Sequence, residues 1–60
     1  MNTKEEFLSH LEYFGRLVKR GILHIDIFNS LIESEIKEFH ETMNDIITYD
    51  EIENIKNQAI

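Results

Sequence analysis

A chain of 60 residues with 42% hydrophobic residues, no cysteine and a formal charge of −6 is one small domain, closed to disulfides and thiolate zinc sites. No apolar run approaches the roughly 18 residues of a membrane span, and "MNTKEEFLSH" puts acids where a secretory leader carries a basic end and an apolar middle. A cytoplasmic protein is expected, and association with another chain is the route to extra stability left most open to it.

Thr3 and Glu6 have the spacing of a capping box, in which each side chain reaches the other residue's backbone N–H. A first helix is therefore expected from about 4 to 20. Phe7, Leu11, Phe14 and Val18 form its apolar stripe, with Leu8 and Leu17 widening it and Glu12 placed four residues before Arg16 on the outer surface. Lys19 and Arg20 suit the negative end of the helix dipole, and Gly21 suits the left-handed residue that closes a helix.

The next stretch, "GILHIDIF", alternates like a strand while both flanks repeat like helices. A strand over residues 22–28 has no partner within the chain, since no other segment alternates over a comparable length. The preferred reading is a bend: Gly21 ends the first helix, Ile22, Leu23 and Ile25 plug the joint, and His24 or Asp26 caps a second helix.

That second helix is expected over about 26–47. Phe28, Ile32, Ile36, Phe39, Met43 and Ile46 recur along it at steps of four and three, flanked by Ile27, Leu31 and Ile47. From Ile32 onward the stripe reads as a seam for self-association: Ile32, Ile36, Phe39, Met43 and Ile46. Opposite it Ser34, Glu38, Glu41 and Asp45 share one face as an acidic ridge. Continuing the seam past Ile47 would bury Asp50 and Glu53, so a short third helix is expected over about 50–59, capped by Thr48 with Glu51 or Asp50 with Glu53 and carrying Ile52, Ile55 and Ala59.

The expected fold is all-α: an antiparallel helical hairpin plus a short C-terminal helix. The apolar stripes are wider than one partner helix covers, so a homodimer built as a four-helix-like bundle is expected.

Over residues 8–31 the pattern Leu11, Phe14, Leu17, Gly21, Ile22, Leu23, Asp26 and Phe28 resembles the short helical hairpin module called SHOCT. His24 stands where that module carries a capping threonine, and the second helix is not lysine-rich. The resemblance implies a helical hairpin concerned with oligomerisation or with attachment to larger proteins, and no chemistry. A strand at 22–28 paired with a second copy would instead be similar to ribbon-helix-helix repressors, although a long helix precedes it and His24 and Asp26 would face outward where that family offers basic or polar groups.

Catalytic and cofactor chemistry is missing from the pattern. His40 and Glu41 begin like the metalloprotease helix motif, but Asn44 occupies the position of the second imidazole. The residues three before His10, His24 and His40 are Phe7, Gly21 and Lys37, none of them an acid as a di-metal helix site needs. Ser9, Ser30, Ser34 and Tyr13 have no spacing that activates a nucleophile. No enzyme, no cofactor and no metal is expected, and the four phenylalanines fit a core better than a platform for stacked bases.

Charge narrows the partners. Residues 1–20 carry Lys4, Arg16, Lys19 and Arg20 against Glu5, Glu6 and Glu12, a balance of +1; residues 21–60 carry nine acids against Lys37 and Lys56, a balance of −7. Nucleic-acid affinity rests on neutralising phosphates with Lys and Arg, so direct nucleic-acid binding is not expected. The leading expectation is a small acidic regulatory or inhibitory protein that docks through Ser34, Glu38, Glu41 and Asp45 on a host or cognate protein with a basic surface. Imitation of nucleic acid by those carboxylates is a sharper variant. The Asn-, Ile-, Lys- and Glu-rich usage is compatible with an AT-rich bacterium or its phage. A self-assembly module acting through the apolar seam is the alternative, and a repressor using Arg16, Lys19 and Arg20 is the third reading.

Overall fold

A computed structural model describes residues 3–60. They form α1 (Thr3–Lys19), α2 (Ile25–Met43) and α3 (Tyr49–Asn57), with no strand among the described residues. The alternation in "GILHIDIF" is thus a joint between helices. Gly21 takes φ 76°, its N–H donates to the Val18 carbonyl at 2.9 Å and the Ile22 N–H donates to the Leu17 carbonyl at 2.9 Å. Those two bonds are the Schellman closure, which satisfies carbonyls that a helix end would otherwise leave open.

His24 caps α2: its Nδ1 accepts the Asp26 N–H at 3.1 Å. The same nitrogen lies 3.7 Å from an Asp26 carboxylate oxygen, but a nitrogen that accepts has no proton to give, so cap and ion pair exclude each other and the shorter contact is the cap. Of the three expected plugs only Leu23 packs against the core. Ile22 and Ile25 are 68% and 43% exposed, because the turn is closed by backbone bonds and leaves no interior for them.

At the other end Thr3 is already helical, so it is not the residue that caps α1; the position before it lies outside the described residues. α2 ends at Met43 rather than about 47 because Asn44 adopts the left-handed conformation, φ 51° and ψ 39°, one of the few non-glycine residues that does so readily. The chain then turns so that Ile47, only 4% exposed, enters the core. Thr48 and Glu51 form the capping box of α3, which starts at Tyr49 and stops at Asn57, leaving Ala59 beyond the helix but packed on the core.

Side-chain contacts fix the order of the helices. Phe7 stacks on Phe39 with ring centroids 4.5 Å apart, and Gly15 faces the Phe28 ring, so α1 and α2 are antiparallel. Lys4 meets Glu51, Glu12 meets Asn54 and Gly15 meets Gln58, so α3 runs parallel to α1. α1 packs against both other helices, and its second flank, which the sequence leaves open for another copy, is covered by α3.

The core is Leu11, Phe28, Ile32, Ile36, Phe39, Ile47 and Ile55, with Phe7, Leu8, Phe14, Val18, Leu23, Ile52 and Ala59 partly buried around it. Gly15 is buried in the α1–α3 contact. A methyl group there would sit 2.9 Å from the Gln58 Cβ and 3.1 Å from the Ile55 carbonyl oxygen, closer than packed atoms tolerate. Gly21 meets nothing and is required by its backbone angle alone.

Candidate functional site

The long helix α2 carries the acidic face. Ser34, Glu38 and Glu41 stand exposed on it at a spacing of four and three, one above another along the helix. Asp45 does not continue the row: it follows Asn44 out of the helix, and its Oδ1 accepts the Ile46 N–H at 2.8 Å. Neither the Glu38 nor the Glu41 carboxylate is engaged by a described residue.

The seam residues divide. Ile32, Ile36 and Phe39 are 2%, 9% and 6% exposed and belong to the chain's own core, whereas Met43 and Ile46 are 44% and 69% exposed. Ile46 lies past the end of α2. Tyr49, three residues on, is 75% exposed, so Met43, Ile46 and Tyr49 make a short apolar outcrop at the α2–α3 connection. The basic residues Arg16, Lys19 and Arg20 stand exposed at the opposite end of the molecule, where α1 finishes.

The connection is held by polar groups reaching in from all three helices. The Lys4 ammonium donates to the Ile46 carbonyl at 2.8 Å and pairs with Glu51 at 3.0 Å. The Ile47 N–H donates to His40 Nε2 at 3.0 Å. Glu51 Oε1 also accepts the Thr48 N–H at 2.8 Å and the Thr48 hydroxyl at 2.9 Å, and the Thr48 oxygen accepts the Glu51 N–H at 3.2 Å. The Thr48 N–H above all, and then the Lys4 ammonium, hold the Glu51 carboxyl below its ordinary value of 4.5. A cation in the first turn of a helix opposes the helix dipole; here Lys4 answers two acceptors on the neighbouring connection.

The residues 29–40 of α2 and 52–56 of α3 also border an open groove of about 1030 Å³. Its presence was not legible from the sequence, although one clue was: Lys37 and Lys56, the only cations after residue 21, both line it. Among the described residues no three His, Cys, Asp or Glu side chains converge to hold a metal, and no helix is long and apolar enough to cross a membrane. No protein-family model, curated protein or solved structure matches this chain.

Proposed function

We propose that the chain is a small regulatory or inhibitory protein that works by binding another protein, and that it presents Ser34, Glu38 and Glu41 to a basic surface. The observation that carries this reading is that Glu38 and Glu41 are exposed on one helical face without a described partner, so their charge is available to a second molecule. Charge of this kind steers encounter and selects partners more than it supplies affinity, which suits a regulator.

The test is affinity capture from lysate of the natural host with the wild type and with Glu38→Lys/Glu41→Lys, after circular dichroism has established that both are folded. One stoichiometric partner retained by the wild type and lost from the variant is the expected result. Retention of that partner by both would remove the acidic face from the reading.

Self-assembly is the second reading, and the exposed Met43, Ile46 and Tyr49 favour it. It places the contact at this outcrop rather than along the whole apolar seam, because Ile32, Ile36 and Phe39 are already covered within one copy. Capture of nothing but the chain itself, with a dimer in sedimentation that Met43→Ser/Ile46→Ser abolishes, would move the function there.

A further inference from the structure

We infer that the groove between α2 and α3 is a second docking site, and that its occupant is an amphipathic helix of another protein whose apolar stripe is flanked by Asp or Glu. The inference rests on the reading that this chain works by binding protein, but not on the Glu38 and Glu41 carboxylates, which do not line the groove, although Ser34 of the same ridge does.

The groove follows from the topology. α2 and α3 both pack on α1, and between them the surface opens into the groove rather than closing into a third helix contact. Along α2 it extends from Asn29 to His40, eleven residue steps or about 16 Å of helix axis. That length seats roughly three turns of an incoming helix in the fourth position of a small bundle. Ile36 and Ile52 form the apolar floor, with Ile32 beneath them.

Charge selects the occupant. Residues 21–60 contain nine acids and two lysines, yet Lys37 and Lys56 line the groove while Glu33 is the one acid of that region that does. One lysine stands on each wall, Lys37 on α2 and Lys56 on α3. Both are exposed, and neither is paired with a described acid. The groove is therefore the cationic part of an otherwise strongly acidic region, and a helix entering it meets an ammonium on each side of its apolar stripe. Acids on both flanks complement that arrangement; lysines would be repelled by it.

A second copy of this chain is a poor fit. The apolar stripe of each helix is already packed into its own core, and of the large exposed apolar residues only Tyr13 stands within a helix, the others lying at helix ends, connections and the C-terminus. No copy has a free amphipathic helix to offer.

The experiment uses two synthetic helical peptides of about 14 residues with the same leucine stripe, one flanked by glutamates and the other by lysines. Each is titrated into the isotopically labelled full chain and followed by backbone amide shifts and fluorescence anisotropy. The glutamate peptide is expected to bind in the micromolar range and to shift the amides of Ile36, Lys37, His40, Ile52 and Lys56. Lys37→Glu/Lys56→Glu should weaken it roughly tenfold or more, while Glu38→Lys/Glu41→Lys should not weaken it. Absence of binding at about 1 mM peptide, equal affinity for the lysine peptide at the groove, or groove shifts that appear with protein concentration alone and so report a second copy, would each overturn the inference. A lysine peptide that binds only at Glu38 and Glu41, which lie outside the groove lining, with no glutamate peptide in the groove, would overturn it while leaving the acidic-ridge reading intact.

Discussion

Gly15 and His24 are the positions where a single side chain decides most locally. Alanine at 15 would add helix propensity of up to about 1 kcal/mol, but its methyl would press on the Gln58 Cβ and the Ile55 carbonyl, both close to the backbone and unable to swing away. Overpacking of this kind costs about 1–3 kcal/mol, so Gly15→Ala is expected to destabilise the chain, and a Gly15→Ala melt at or above the wild-type midpoint would show that α3 shifts freely. His24 is an unusual cap. His24→Ala should cost about 1 kcal/mol by leaving the Asp26 N–H without its acceptor, whereas His24→Thr, a residue better suited to capping, should hold or raise stability. Equal urea midpoints for all three chains would mean that the cap contributes nothing.

At the scale of helices, α3 is the piece whose attachment depends on charge. Nine residues cannot hold a helix alone; Ile55 in the core, Asn54 donating to Glu12 at 2.8 Å, and Lys4 with Glu51 attach it. Ile55→Ala should cost about 2–5 kcal/mol, close to the whole stability of so small a domain, and is expected to leave the chain largely unfolded by circular dichroism. For Glu51 the folded pKa lies below the ordinary 4.5, so its contribution is fully present above about that pH and is lost as pH falls through the lowered value. Thermal melts from neutral pH downward should therefore converge for wild type and Glu51→Gln at the acid end, with the wild type higher above it; parallel curves throughout would mean that Glu51 is not the linked group.

The helix ends divide by what sets them. Gly21, His24 and the Thr48–Glu51 box act within a few residues: the sequence points to Gly21 outright and to the other two each as one of a pair, with Asp26 and Asp50–Glu53 the options the structure sets aside. The end of α2 does not yield to the same reading, because Ile46 and Ile47 keep the apolar period while the structure sends Ile47 inward along a separate path, supported by His40 and Lys4. Asp45 leaves the predicted ridge for that reason. Gly15 gives no signal in sequence and the α2–α3 groove only the isolated Lys37 and Lys56, since each exists only where two helices from distant segments meet.

Across the whole molecule the helix directions separate charge. The end where α1 and α3 finish carries Arg16, Lys19, Arg20 and Lys56 beside Asp26; the other end carries Glu5, Glu6, Glu38, Glu41, Asp45, Asp50 and Glu51 beside Lys4 and Lys37. The molecule measures 33 × 21 × 18 Å, and the Debye length falls from about 30 Å at 0.01 M salt to about 10 Å at 0.1 M. In dilute salt each acid therefore feels every other acid at its end, while at the higher salt only near neighbours interact. The attractive contacts, such as Lys4 with Glu51 at 3.0 Å, are shorter than either screening length and lose less. Repulsion is the term that salt removes, so the unfolding midpoint should rise between these two concentrations, and it should rise less in Glu38→Lys/Glu41→Lys, which lowers the acidic charge where it is densest. A wild-type midpoint that falls with salt would mean that ion pairs such as Lys4 with Glu51 outweigh the repulsion at the acidic end.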